Sequence, residues 1–180
     1  MAEYGVFESV NMASTKYAER IYDAVADTDI ENGTFGYLDG LADGETVIYK
    51  FVAGTKAGEP VVVVDNPAWT EDECLRSNQR KDKYINKAGT PFRVRKLKKG
   101  DVFGINAACV TSATAEKLDT GAFLTIDTTG KLKAADTTTA SAVMEAVVES
   151  KRAQGGMITT TAHNYGYSRM MYVAVVKTLA

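Results

Sequence analysis

The sequence is poor in the residues that bind metals or carry redox chemistry. Its 180 residues include one histidine, His163, and two cysteines, Cys74 and Cys109, which do not form a C-x-x-C pair. These counts exclude polyhistidine metal sites, zinc ribbons, iron–sulfur clusters and thioredoxin-type redox centres. We therefore expect no metal and no cofactor, and a protein made in a reducing cytoplasm. Whether Cys74 and Cys109 form a disulfide stays open.

Long apolar runs and a strong net charge are also missing. No stretch approaches the roughly 18 apolar residues of a membrane span, and the amino terminus lacks a basic patch followed by an apolar run. The sequence thus predicts no membrane partner and no secretion signal. The net charge is only −2, which identifies no partner by itself. Hydrophobic residues make up 45% of the chain, enough for a packed core.

Strands are the predominant prediction. Three prolines interrupt the chain, and glycines separate short apolar runs. Val61–Val64 has four β-branched residues between turn formers, which predicts a strand covered on both faces. The Ala57–Gly58 turn before it predicts a hairpin with the run at 46–52. Further strands are predicted within 92–97, 101–105 and 170–177. Residues 141–150 fit a strand or a short helix, with the strand favoured, and 14–27 fits either a helix or a strand.

A short helix is predicted in the middle of the chain. Thr70 and Glu73 have the spacing of a capping box, with acidic residues in the first turn and basic residues further on. We place this helix at about 70–80. The predicted fold is mainly β, with one or two small β-barrel units and this short helix between them. The predicted organisation is an N-terminal arm (1–16), a first β-rich unit (17–68), a helix and linker (69–90) and a second β-rich unit (91–180), separate from 17–68 or continuous with it.

Catalytic motifs are incomplete. The segment from Gly121 to Leu132 is not a phosphate loop, because its glycines are too far apart and leucine replaces the hydroxyl residue that binds magnesium. Asp127–Gly130 within it predicts a β-turn that closes a hairpin. His163 has no Gly-x-Ser-x-Gly elbow to supply a nucleophile. We predict that the protein is not an enzyme, and keep a small hydrolase built around His163 as an alternative.

Positive charge is concentrated in one segment. Residues 76–99 carry ten basic side chains and one acid, Asp82, so this segment is about +9 and the remainder about −11. Such a distribution favours docking on an acidic surface or head-to-tail association of copies. A third interpretation is nucleic-acid binding, with Tyr84 and Phe92 as stacking groups, although the acidic remainder would repel phosphate. The fourth is two solvated faces on an ordinary domain.

Three passages resemble structural proteins from the head modules of tailed bacteriophages. They are residues 29–38, 97–103 and 117–132. The chain is similar to capsid decoration, or head-stabilising, proteins, which coat a mature icosahedral shell. The resemblance implies β-barrel or β-tulip-like units on the outer capsid surface, usually trimeric, that clamp neighbouring capsid subunits against internal pressure. It implies no catalytic residues.

The resemblance also implies partners and a location. The partners would be the major capsid protein and further copies of this chain, on the outer surface of a virion assembled in the bacterial host. We predict contacts through an N-terminal arm that orders on docking and through the basic segment. The predicted binding residues are Tyr4, Val6, Phe7, Met12, Arg93, Arg95, Lys96, Lys98 and Lys99. The alternatives are a nucleic-acid-binding β-barrel and another virion part, such as a tail-tube or head–tail connector protein.

Overall fold

The computed structural model describes residues 3–16, 21–68, 81–139, 141–154, 157–159, 164–166 and 169–179. The prediction of a mainly β fold with a barrel is confirmed. The strands are β1 (Phe7–Asn11), β2 (Ile21–Val25), β3 (Phe35–Leu41), β4 (Ile48–Ala53), β5 (Val62–Val64), β6 (Phe92–Lys96), β7 (Val102–Asn106), β8 (Phe123–Ile126), β9 (Leu132–Ala135), β10 (Met144–Gln154), β11 (Met157–Thr159), β12 (Asn164–Gly166) and β13 (Arg169–Leu179). The helices within these ranges are α1 (Ala13–Lys16) and three 3-10 segments, Lys81–Lys83, Ala107–Cys109 and Ser112–Lys117.

Five strands close into a barrel in the order β2-β4-β3-β5-β6. β2 pairs in parallel with β4 and antiparallel with β6, which closes the ring. The predicted turn at Ala57–Gly58 does not close a hairpin, because β4 and β5 lie on opposite sides of β3. Phe51 and Phe92 meet edge to face inside the barrel, with ring centroids 5.7 Å apart.

The valine run shows why β5 is buried on both faces, as predicted. Side chains of a strand alternate between its faces. Val62 and Val64 pack inside the barrel, whereas Val61 and Val63 pack against the second sheet. This alternation makes β5 a wall shared by two cores, so the barrel and the second sheet form one continuous packed structure.

The second sheet has six strands in the order β1-β7-β13-β10-β8-β9. Its inner face packs on the barrel through a common core that includes Phe7, Phe35 and Phe103. The Phe7 and Phe103 rings stack at 5.6 Å, and Phe35 lies 6.5 Å from Phe7 and 5.7 Å from Phe103. The predicted strand at 141–150 is confirmed as β10, an 11-residue strand that pairs antiparallel with the equally long β13.

The turn between β8 and β9 joins the sheet to the barrel. Asp127–Gly130 closes this hairpin as predicted, with the Gly130 N–H donating to the Asp127 carbonyl at 2.9 Å. The Gly130 carbonyl in turn accepts the Phe35 N–H at 2.8 Å. Gly130 has a φ of +77°, and a Cβ there would lie 2.4 Å from the Phe35 carbonyl oxygen. Only glycine therefore fits this junction without strain.

The strands are distributed differently from the predicted boundaries. β6 belongs to the barrel although it follows the predicted start of the second unit at 91. β1 lies within the predicted arm, yet it is an integral strand of the six-stranded sheet. Its pairing with β7 joins residues almost 100 positions apart, which the local sequence pattern does not encode. The predicted helix at 70–80 and the side chains of Cys74 and His163 lie outside the described residues.

Candidate binding surface

The side of the six-stranded sheet that faces away from the barrel carries a row of apolar side chains. Ala146 is buried in the common core, so its neighbour Val147 points to the opposite face. Val147 pairs with Phe123 on β8 and Val175 on β13, and Val175 pairs with Val102 on β7. Paired residues in antiparallel strands share a face, so these four side chains form a continuous row across four strands. We call Phe123, Val147, Val175 and Val102 the outer row; all four are half-buried.

A basic turn lies at one end of the outer row. Lys98 and Lys99 are exposed in the tight turn that leads into β7, and Lys96 is half-buried at the end of β6. The turn is fixed by the buried carboxylate of Asp101, whose oxygens accept the N–H of Lys98 and of Ala13, both at 2.8 Å. Within the described part of the chain, Lys96, Lys98 and Lys99 form no ion pair. Their charges are therefore available to a partner.

Arg93 and Arg95 differ from these lysines, because both pair with Asp65. The Arg95 guanidinium is buried and forms a hydrogen-bonded ion pair with the Asp65 carboxylate. Arg93 is half-buried; its Nε donates to the Asp65 carbonyl at 2.8 Å and its Nη2 lies 3.7 Å from the carboxylate. Arg95 thus stabilises the protein internally and is not presented to a partner. The predicted role of Arg93, which keeps some exposure, stays a prediction.

The predicted contact residues of the N-terminal segment lie mostly inside the protein. Val6, Phe7 and Met12 are each at most 5% exposed. Phe7 and Met12 belong to the common core, so contacts from these side chains to a partner would require β1 to leave its sheet. The interpretation of residues 3–16 as an arm that orders on docking is therefore inconsistent with this structure. Tyr4 is half-buried, and its backbone is fixed by bonds to Asp82 and Asn106.

A groove of about 450 Å³ runs between β1 and the end of the barrel. Its walls are β1 on one side and the segment that follows β5 on the other. Its charged lining residues are Glu8, Asp65, Lys81, Arg93, Arg95 and Arg152. Four of these are basic and two acidic, so the described lining of the groove carries an excess of two positive charges.

Glu8 holds the carboxyl end of β10 against β1. Its carboxylate accepts hydrogen bonds from Gln154 at 2.6 Å and Arg152 at 3.0 Å, and Lys81 lies 3.6 Å away. Burial by itself raises the pKa of Glu8, but the Gln154 hydrogen bond and the charges of Lys81 and Arg152 outweigh it. The pKa of this carboxyl is therefore held below its ordinary value.

Candidate catalytic chemistry is sparse in the described residues. Cys109 is a free, buried thiol, and burial raises its pKa to about 12, so it is not a nucleophile at neutral pH. No group of three potential metal ligands occurs among the side chains that the structure describes. The described helices include none long and apolar enough to cross a membrane. Phe92, one of two predicted base-stacking residues, is buried in the barrel, and the Tyr84 hydroxyl bonds to Asn66.

The outer row was missed by sequence reasoning, although the sequence carries a signal for it. Residues 172–176 form a continuous apolar run at the centre of β13. Such a run is typical of a strand covered on both faces. Among the described residues, the barrel covers one face of β13. On the second face Met171 is buried, whereas Val173 and Val175 are half-buried and keep some exposure.

Comparison with known proteins identifies no relative: no family model matches the chain, and neither a curated protein nor a solved structure matches it significantly.

Proposed function

We propose that this chain is a structural virion protein that binds the outer surface of an assembled phage capsid and stabilises it. The observation that carries the proposal is the outer row, a half-buried apolar strip that keeps some exposure on an otherwise compact β protein, with unpaired lysines at one end. Apolar strips with a polar rim are characteristic of protein-binding surfaces. The resemblance of residues 29–38, 97–103 and 117–132 to decoration proteins selects the partner.

Stabilisation of the shell follows from mass action. A protein that binds the assembled lattice and not its separate subunits shifts the equilibrium towards the lattice. Many copies on one shell add their individual binding free energies, so each contact needs only moderate strength. A moderate surface such as the outer row with its neighbouring lysines suits this mechanism. We expect the bound form to be a homo-oligomer, with a trimer as the resemblance implies.

Cosedimentation with purified, undecorated shells of the phage that encodes the chain tests the proposal. Val175→Glu introduces a charge at the centre of the outer row, and we expect it to abolish shell binding while the protein stays folded. The matched control is Val52→Glu, which places the same charge at an exposed valine of the barrel. Equal binding by wild type and Val175→Glu, or no binding by wild type, would contradict the proposal.

Substitutions in the basic turn are expected to have a second, smaller effect on shell binding. Lys98→Gln with Lys99→Gln removes two unpaired charges, and we expect weaker shell binding with a reduced dependence on salt concentration. The control removes two charges that are already paired, Lys50→Gln with Lys56→Gln. An unchanged salt dependence in the first variant would exclude the turn from the contact.

A further inference from the structure

We infer that the free edge of β1 is a docking site for an extended, acidic segment of the shell protein, which adds to the six-stranded sheet as a further strand. The inference rests on the proposed function, since it takes the shell as the partner. It specifies a second contact, separate from the outer row: backbone hydrogen bonds to β1, with selectivity supplied by the basic groove beside it.

The hydrogen-bond pattern shows which groups of β1 face outward. The Asn106 N–H donates to the Val6 carbonyl at 3.3 Å, so residues 6 and 106 form a hydrogen-bonded pair. In an antiparallel ladder such pairs alternate with non-bonded pairs. Glu8 therefore directs its N–H and carbonyl to β7, whereas Phe7 and Ser9 direct theirs away from it. Gly5 fits the same alternation, because its outward N–H donates to the Glu31 carboxylate at 2.8 Å.

The opposite edge of the sheet shows what a closed edge looks like in this protein. The Asp127 N–H donates to the Lys131 carbonyl, so by the same alternation Leu132 and Ala134 direct their backbone groups outward from β9. Both residues have partners: the Leu132 carbonyl accepts the Thr111 N–H at 2.8 Å, and the Ala134 N–H donates to the Thr114 hydroxyl at 3.1 Å. The chain thus covers the β9 edge with its own residues.

The β1 edge has no such cover among the described residues. β1 ends the sheet, and the outward groups of Phe7 and Ser9 have no partner in the described ranges. Phe7 and Ser9 are among the residues that line the groove of about 450 Å³. Natural proteins usually cover or charge such an edge, because it is a template for another strand. Addition of an extended segment to an edge is a common mode of peptide recognition.

The charges of the groove select the chemistry of the segment. Asp65 forms ion pairs with Arg93 and Arg95, and Glu8 forms ion pairs with Arg152 and Lys81. The lining keeps an excess of two positive charges, and the side chains of Lys81 and Arg152 are more than half exposed. Opposite charges on neighbouring strands stabilise their pairing. An extended segment with acidic side chains on its groove face fits this edge best.

Ser9→Pro tests the inference, because it removes an outward N–H and leaves the pairing with β7 intact. Proline is tolerated on an edge strand when its nitrogen faces away from the ladder. We expect the variant to unfold at nearly the wild-type temperature and to bind shells about tenfold more weakly or worse. The variant cannot donate one hydrogen bond to the docked segment, and its ring obstructs the adjacent hydrogen bonds. Ser9→Ala, which keeps the N–H, should bind like wild type.

Amide hydrogen exchange tests docking at the β1 edge on the wild-type protein, without a substitution. We expect the peptide containing Phe7 and Ser9 to exchange quickly in the free protein and slowly on shells. The peptide containing Leu132 and Ala134 serves as the control, because the outward N–H of Ala134 is already bonded to Thr114. If the protein binds shells without slowing exchange in β1, the inference is wrong, whether or not Ser9→Pro folds.

The outcomes separate the inference from the proposed function. If wild type does not bind shells, both are wrong. If wild type binds and Ser9→Pro binds equally well, only the inference is wrong. If Ser9→Pro instead changes the oligomeric state of the free protein, the edge is occupied by a second copy, and a shell segment is excluded.

Discussion

The barrel and the six-stranded sheet differ in whether their outermost strands are paired. The barrel pairs its first strand with its last and so leaves no edge. The sheet stays open, with β9 bonded to Thr111 and Thr114 and β1 bordering a groove. The barrel is also assembled from neighbouring segments of the sequence, whereas the sheet pairs β7 with strands from both ends of the chain. The comparison teaches that closure removes every strand edge from the barrel, whereas the open sheet keeps an edge at β1, which is where we propose that a partner binds.

We expect the largest loss of stability from substitution of Phe35. Phe35 lies on a barrel strand but packs in the common core with Phe7 and Phe103. We expect Phe35→Ala to lower the free energy of unfolding by about 3–5 kcal/mol. Because the residue serves both halves, urea unfolding followed by circular dichroism and by NMR should give one coincident transition.

Phe51→Ala is the matched control, since Phe51 packs inside the barrel only. It removes the same ring without touching the common core. Two separate transitions in either variant would mean that the barrel and the sheet fold independently, and that the common core does not couple them.

Gly130→Ala tests the junction between the two halves. The positive φ costs roughly 1–2 kcal/mol for a residue with a Cβ, and the new methyl group would also clash with the Phe35 carbonyl. We expect a loss of about 2 kcal/mol or more in chemical denaturation. Gly58→Ala separates the two contributions, because Gly58 has a similar φ of +83° and open space around it. An equal loss of unfolding free energy in the two variants would mean that the clash does not contribute.

Glu8 gives the smallest expected effect, which concerns the sheet alone. The folded-state pKa of Glu8 lies below its ordinary value of 4.5, so the carboxylate stabilises the protein at neutral pH. This contribution is lost as the pH falls below about 4.5 towards the folded-state pKa. We expect Glu8→Gln to be less stable than wild type at pH 7, on the order of 1 kcal/mol, and the difference to shrink at pH 3. A difference independent of pH would exclude ionisation as its cause.

The elements that sequence reasoning predicted correctly are those with strong local patterns. The valine run of β5 predicts burial on both faces because four consecutive apolar residues place side chains on each face of a strand. Asp127–Gly130 predicted a turn because its residue types suit the conformation directly. The strands β4, β6, β7, β10 and β13 are similarly confirmed within a few residues of their predicted bounds.

The errors came from interactions between distant segments. Nothing near Phe7 reveals that it stacks on Phe103, so β1 was interpreted as an arm. Arg95 alternates with apolar residues, a pattern that favours a contact with a partner, yet its guanidinium is paired with Asp65 at the end of the neighbouring strand β5. The outer row likewise depends on register across four strands. Such features require knowledge of which strands are neighbours, and a single sequence does not supply it.

The order of strands along the chain has a consequence for synthesis on the ribosome. All five barrel strands precede β7, so the barrel can close before the rest has been translated. β7 then has β1 on one side and must wait for β13, the last strand, on the other. Until that strand emerges, the outward-facing Phe35 and Val63 of the barrel lack their cover. We expect nascent chains that stall before residue 169 to be the species that chaperones bind.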